Sequence, residues 1–471
     1  MTLLLGLAGL LMTGGTTNEP QGDGIYGAFQ ASKEWIAPTD PKILSSLRKW
    51  QDEKVGILIH WGAYSQWGIV ESWSLVATRY PWNNRPKQYA SLSDEAYRKV
   101  YERLPKTFNP VHFDADKWAT AFKDGGIKYV FSMTKHHDGF CMWDTKYTDY
   151  KITGPDSPFR VDPRADTVKV MSEAFRRHGL SSGIYFSKAD WHSPYYWRPE
   201  NGVGSGQGPN YEPADHPEEW KKFKDFTWDQ IAELMKGYGK QDILWLDGGS
   251  VRPPNADIDM NGMAAMARKI QPGLIVVDRT VSGPNENYIT PEGEIPNHYL
   301  PYPWETCMTM GTSWPWRPND NFKSVGTLVK NLCHIVARGG NYLIGIGPDT
   351  NGEFDPVVYE RLKGLGAWLR KNGEAIYSTR PVHPYEQSDC VFTRKKNGTV
   401  YAILLAKNDS AGLPETVKLP IELLAKAKSL RLLGFGELRA SEDGTIAIPA
   451  SYQKKSEAGL AWAIRITSER S

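Results

Sequence analysis

The most restrictive feature of this chain is a set of short apolar runs that each end on a polar residue. They read VGILIHWG (55–62), YVFSMTKHHDG (129–139), SSGIYFSKADW (181–191), DILWLDGG (242–249), LIVVDRT (274–280) and NYLIGIGP (341–348). Runs this short, without polar alternation, predict strands covered on both faces, as in a parallel sheet. The intervals carry helix signals. DADKWATAFKDGG (114–126) opens on acids and closes on glycines, and DTVKVMSEAFRRHG (166–179) ends on Arg176, Arg177 and His178, which suits a helix C-terminus. Strands alternating with helices are βαβ units. The expectation is an α/β fold with a (β/α)8-like barrel, of which six strands are legible and two have to be assumed.

After GLGAWLRKNGEAIYSTRP the texture changes to short strand-like runs: CVFTRKKNGTVYAILLAK, SLRLLG, TIAIPA and LAWAIRIT. KNGT reads as a hairpin turn, because Asn-Gly suits the turn whose twist matches the strands. The start, MTLLLGLAGLLMTGG, is apolar and then small, as in a secretory signal, and too short to span a bilayer. The expected division is a signal peptide at 1–22, a catalytic α/β barrel at 23–378 and a C-terminal antiparallel β-sandwich at 379–471. That start predicts a secreted or periplasmic protein without a membrane span. WRPENGVGSGQGPNYEP (197–213) is rich in Gly and Pro and reads as a loop.

Composition narrows the function classes. The 56 Lys and Arg nearly balance 54 Asp and Glu, with no basic stripe, so nucleic acid is not the expected partner. Cys141, Cys307, Cys333 and Cys390 lie far apart and form neither a disulfide framework nor a zinc signature. The 18 Trp and 23 Tyr suit the apolar faces of sugars, although aromatics also fill cores.

The polar residues at the run ends are His60, His136 with His137, Tyr185, Asp247 and Arg279. In a barrel that end carries the active site. The adjacent histidines leave three readings open: a metal site completed by His60 and Asp138, a bonded structural pair, or a clamp of neutral imidazoles on substrate hydroxyls. Asp247, before two glycines and near Trp245, is either turn chemistry or a carboxylate at the barrel mouth. Glycoside hydrolysis would require a second carboxylate. Glu286, Glu292, Glu294 and Glu305 are the candidates, in a stretch that reads as a loop.

GILIHWGAYS, KYVFSMTKHHDGF, GIYFS, ILWLDGG, VVDRT, PWETC and GGNYLIGIGP together resemble the motifs of the α-L-fucosidases of glycoside hydrolase family 29, from about residue 50 to 380. The resemblance implies a barrel followed by a β-sandwich, and a retaining mechanism with no metal and no cofactor. It implies release of terminal α-linked L-fucose from an oligosaccharide or glycoconjugate. Residue by residue it implies Asp247 as nucleophile, and His60, His136 and His137 bonded to fucose hydroxyls. Tyr185 and Arg279 would line the pocket, with Trp245 and Trp314 against the apolar side of the sugar. Glu71 and Trp73 stand where the family carries a Glu-Trp pair, which Ser72 interrupts here. For the acid/base the resemblance favours Glu292, with Glu305 as runner-up or as a residue that orients the loop. Two other functions stay open: a glycosidase for a related sugar such as α-L-galactose, and a catalytically silent sugar-binding protein. Nothing in the sequence sets the oligomeric state.

Overall fold

The computed structural model describes residues 35–468; the expected signal peptide lies outside them. Seven parallel strands form one curved sheet: β1 (Val55–Ile59), β2 (Tyr129–Lys135), β3 (Ser181–Ser187), β4 (Ile243–Asp247), β5 (Ile275–Asp278), β6 (Glu305–Thr309) and β7 (Asn341–Ile346). Their order is β5-β4-β3-β2-β1-β7-β6. Every strand residue is buried except Asp247, which accounts for runs without polar alternation.

The sheet curls into a barrel whose eighth stave is irregular. Residues 285–293 fill the gap between β5 and β6. On one side the Asn287 N–H donates to Val276 O (3.1 Å) and the Asp278 N–H to Asn285 O (2.9 Å). On the other, Glu305 N–H donates to Ile289 O (2.8 Å), Cys307 N–H to Pro291 O (3.1 Å) and Gly293 N–H to Cys307 O (2.9 Å). Pro291 has no N–H to give, so this segment cannot run as a regular ladder strand. The loop expected up to Glu305 is therefore corrected: Glu305 opens β6. PWETC was too short and too polar to read as a strand.

Eight longer helices accompany the strands: α1 (Pro41–Glu53), α2 (Asp94–Tyr101), α3 (Ala115–Asp124), α4 (Thr167–Arg177), α5 (Pro217–Gly237), α6 (Met260–Ile270), α7 (Val325–Ala337) and α8 (Pro356–Asn372). Asp114 and Asp166 cap the two helices expected from sequence, accepting from the N–H groups of Lys117 and Lys169.

Side chains alternate across each strand. Leu58, Tyr129, Phe131, Tyr185, Ile243, Trp245, Ile275 and Leu343 point inward into one cluster. Ile57, Val130, Ile184, Leu244 and Ile344 face the helices. Ile43, Leu47 and Trp50 of α1 join the inner cluster, so α1 plugs the end of the barrel where the strands begin. Trp50 stacks on Tyr288 of the eighth stave, with ring centroids 4.1 Å apart at 7°.

From Thr379 onward the chain forms an antiparallel six-stranded sheet and a two-stranded one. The larger contains β8 (Thr379–Gln387), β9 (Cys390–Lys395), β10 (Val400–Leu405), β12 (Ala427–Leu432), β13 (Gly436–Leu438) and β15 (Ala461–Ser468); the smaller pairs β11 (Thr416–Lys418) with β14 (Thr445–Ala447). Phe392, Ala402, Leu404, Ile464 and Ile466 from the large sheet pack with Leu419, Ile446 and Ile448 from around the small one. The opposite face, with Val391, Tyr401, Ile403 and Ala463, belongs to the core of the barrel domain. The expected Asn-Gly turn joins β9 to β10, with Gly398 at φ +88°. All four cysteines are buried and free.

Trp50 joins α1 to the irregular stave, so Trp50→Ala should destabilise the protein by about 3–5 kcal/mol, as for other buried Trp truncations. Urea unfolding checks this; a loss below about 1 kcal/mol would mean that this stacking does not secure the barrel closure.

Candidate active site

The inward residues at the C-terminal strand ends surround a cavity of about 470 Å3. His60, Glu71, Trp73, His136, His137, Tyr185, Trp245, Asp247, Arg279, Glu292 and Trp314 all line it. Glu305 does not.

Asp247 continues the inward register of Ile243 and Trp245 on β4. The Tyr185 hydroxyl donates to its Oδ2 (2.7 Å), while its Oδ1 accepts from Gly248 N–H (2.8 Å) and from the Arg279 guanidinium (3.2 Å). Burial alone would raise this carboxyl. The Arg279 guanidinium, helped by the Tyr185 hydroxyl, outweighs burial and holds it well below the usual carboxylate range. The other end of the Arg279 guanidinium is paired with Glu292, so one cation spans both carboxylates.

The histidines are held neutral. Burial pushes His60 down to about 3 and His137 to about 4, and it lowers His136 well below its ordinary value. The ladder shifts register between Met133 and Lys135, and the following turn delivers His136 and His137 to the cavity. Gly139 closes that turn at φ +77°; a Cβ there would sit 2.2 Å from Asp190 Oδ1. Asp190 accepts from the buried Lys135 ammonium (2.6 Å). Asp138 turns away, accepting from the Tyr101 hydroxyl (2.8 Å), and does not line the cavity.

Hydrogen bonds assign the two tautomers. The Ser187 hydroxyl donates to Ala189 O (2.6 Å), so its oxygen is left to accept from His137 Nδ1 (2.6 Å). His137 Nε2 is then a bare acceptor, facing the Gln207 amide (3.1 Å) and lying 4.0 Å from Asp247 Oδ2. His136 is the reverse. Ser72 Oγ accepts from Asp138 N–H (3.0 Å) and meets His136 Nδ1 at 2.5 Å. That imidazole nitrogen is the acceptor available to the buried Ser72 hydroxyl, which leaves Nε2–H as a donor. Adjacent histidines thus present one acceptor and one donor. Ser72, which interrupts the Glu71–Trp73 pair, sets this arrangement.

Glu71 is buried, and burial together with the charge of Asp247 raises its pKa well above the ordinary value. Glu71 Oε1, His60 Nδ1 and Arg279 Nε have no hydrogen-bond partner among the described residues. Buried polar atoms in folded proteins are nearly always bonded, so their clustering here marks a surface prepared for polar ligand groups. The apolar side is Trp314 and Leu58. Trp314 can lie there because Gly345 has no Cβ; one would stand 2.5 Å from the ring. Trp73 meets His137 edge-on at 5.4 Å.

Of the four glutamates weighed as a second carboxylate, Glu292 alone lines the cavity. Glu305 lies one inward position below Cys307 on β6, completely buried, and accepts from the hydroxyls of Tyr129 (2.6 Å) and Tyr288 (3.0 Å). Burial pushes Glu305 up to about 7 against the phenols and the neighbouring indoles of Trp50 and Trp245. That value would suit a proton donor at neutral pH, but an acid has to reach its substrate, and Glu305 faces the barrel interior.

His136, His137 and Asp247 bring ligand atoms within 4.8 Å of one another. As a metal set they fit poorly. The Arg279 guanidinium beside Asp247 already neutralises it and would repel a cation.

Sequence reasoning missed Gln207, Ser72, Trp82, Arg252, Thr280 and Thr290. Gln207 rides on the Gly-rich loop, which aromatic donors fix in place: Tyr196 OH (2.7 Å) and Trp191 Nε1 (3.3 Å) to Gln207 O, and Trp197 Nε1 (3.0 Å) to Gly208 O. Its side-chain oxygen accepts from the Ser250 N–H and hydroxyl, both at 3.2 Å.

The sequence profile of the Alpha-L-fucosidase family matches residues 27–374. Human plasma alpha-L-fucosidase is 31% identical over 83% of this chain and 82% of its own length. Among solved structures, alpha-L-fucosidase isoenzyme 1 from Paenibacillus thiaminolyticus aligns with a TM-score of 0.73 and 25% identity, over 91% of this chain and all of the other. The alpha-fucosidase of Thermotoga maritima, solved in complex with fucose, aligns with a TM-score of 0.68 and 27% identity, over 89% and 96%.

Glu305 supplies a pH signature. Its pKa is raised from 4.5 to about 7 on folding, so its stabilising contribution is full below about 4.5 and is lost as pH rises to about 7. Urea unfolding of wild type and Glu305→Gln should diverge across that interval, the wild type losing roughly 3 kcal/mol relative to the variant. Parallel curves would show that Glu305 stays ionised throughout.

Proposed function

Because the chain belongs to the alpha-L-fucosidase family and is a glycoside hydrolase, we propose that it releases terminal α-linked L-fucose from oligosaccharides or glycoconjugates with retention, Asp247 being the nucleophile and Glu292 the acid/base. The observation that carries this reading is the Arg279 guanidinium held between the two carboxylates at the cavity wall. It keeps Asp247 ionised for attack. Anchoring both carboxylates on one guanidinium suits the close pair of a retaining site better than the wide pair that leaves room for a water.

The chemistry runs in two steps. Asp247 Oδ attacks the anomeric carbon as the glycosidic bond breaks, and Glu292 gives its proton to the departing oxygen. Glu292 then takes a proton from water as that water displaces Asp247. A proton donor cannot remain ion-paired with Arg279, so Glu292 gives up that contact as the leaving oxygen approaches, and Arg279 stays with Asp247. The rim supports the sugar. His136 Nε2–H donates to one hydroxyl, His137 Nε2 accepts from another, and Trp314 and Leu58 cover the C6 methyl group.

The test exploits leaving-group dependence. Nitrophenolate departs without a proton; a sugar alkoxide does not. Glu292→Ala should lower kcat/KM for a fucosyl disaccharide by about 10²–10⁴-fold, the usual worth of general acid catalysis, and much less for a nitrophenyl α-L-fucoside. Azide should accelerate turnover of the nitrophenyl substrate by attacking without a base. Equal losses on both substrates would remove Glu292 from the acid role.

A further inference from the structure

We propose that the groove beside Trp82 is a subsite for the leaving-group sugar, and that Arg317 makes it favour an acidic one, carrying a carboxylate or a sulfate ester. The inference rests on the fucosidase reading of the adjoining pocket. The groove encloses about 530 Å3, within the ~300–1,000 Å3 of small-ligand sites.

Two loops build it, 68–85 after β1 and 312–317 after β6. The same two loops wall the fucose pocket, through Glu71, Trp73 and Trp82 on one side and Trp314 on the other. Trp82 lines both cavities, so pocket and groove meet across a single ring. Around the barrel, the stave bearing Glu292 is followed by β6, β7 and β1. The 312–317 loop therefore follows the stave next to Glu292, where a protonated leaving oxygen departs, and the 68–85 loop reaches the same groove from β1, three staves on.

The groove has the make-up of a carbohydrate site. Ile69, Val70 and Pro81 give it an apolar wall. Trp82 stacks on Tyr80 (5.1 Å, 4°) and meets Trp73 edge-on (5.3 Å, 77°), which fixes its plane. Its two arginines differ. Arg85 is committed, donating to Ser74 O, Leu92 O and Asp94 and covering the Tyr97 ring. Arg317 is exposed, and its side chain makes no hydrogen bond or ion pair among the described residues. The loop that carries Arg317 is anchored from behind by Asp320, which accepts from Thr312 N–H (3.0 Å). An uncommitted guanidinium on an anchored loop, lining a groove that also carries the Trp82 ring, can receive a carboxylate or sulfate oxygen pair.

Wild type and Arg317→Gln are compared on nitrophenyl α-L-fucoside, a neutral fucosylated oligosaccharide, and that oligosaccharide carrying a sialic acid or a sulfate ester. Arg317→Gln should leave the nitrophenyl and neutral substrates within about twofold and lower kcat/KM for an acidic one about tenfold, mainly through KM. The arm that falls, carboxylate or sulfate, identifies the anion. Asn84→Trp, which fills the groove, should lower all oligosaccharides about tenfold and spare the nitrophenyl fucoside. Equal effects of Arg317→Gln on neutral and acidic substrates, or none on either, would overturn the acidic preference. Unimpaired oligosaccharide turnover by Asn84→Trp would overturn the subsite itself. Wild-type activity on the nitrophenyl fucoside separates these failures from failure of the fucosidase reading, which would show there first and take the subsite with it.

Discussion

One guanidinium between two carboxylates organises the site. Burial opposes the ionised form of the Asp247 carboxyl, and the Arg279 guanidinium is the largest of the contacts that offset it. With that guanidinium, the carboxylate keeps its charge at the wall of the cavity. The position of Arg279 depends in turn on the barrel: it follows β5 directly, and its N–H donates to Leu246 O of β4 (3.1 Å), beside Asp247. Closure of the sheet by the irregular stave brings Glu292 to the same cation. Barrel geometry and site electrostatics are thus one problem, with α1 plugging the floor through Trp50 and Tyr288.

Around that pair the rim distinguishes donors from acceptors. Ser187 and Ser72 commit the Nδ1 atoms of His137 and His136 in opposite senses, so neighbouring imidazoles can meet hydroxyls of opposite orientation. Their depressed pKa values keep them neutral, which preserves the tautomers at physiological pH. A protonated imidazole would lose its acceptor and compete with Arg279 for Asp247.

Strand ends were legible in the sequence because local pattern carries them: a buried strand is an apolar run, and its last inward residue is the first polar one. That logic places His60, Tyr185 and Asp247 at one rim. It could not reveal β6, whose inward positions are Glu305, Cys307 and Thr309. Glu305 is tolerated there because Tyr129 and Tyr288, 176 and 17 residues away, supply hydroxyls, and no local window contains those partners. Gln207 was hidden for a similar reason. Its loop looks like flexible Gly-rich chain, and the donors that fix it, Trp191, Tyr196 and Trp197, read as ordinary aromatics. Ser72 looked like an interruption of the Glu-Trp pair; only the fold shows it bonded to His136.

In the proposed reaction Asp247, kept ionised by Arg279, forms the bond to the sugar. Incubation with a 2-deoxy-2-fluoro-fucosyl fluoride, which slows hydrolysis of a glycosyl-enzyme, followed by proteolysis and tandem mass spectrometry, tests it directly. A single modified peptide with the fluorosugar on Asp247 is the predicted result. A label on Glu292, Glu305 or any other side chain, or turnover of the reagent with inversion and no label, would contradict it.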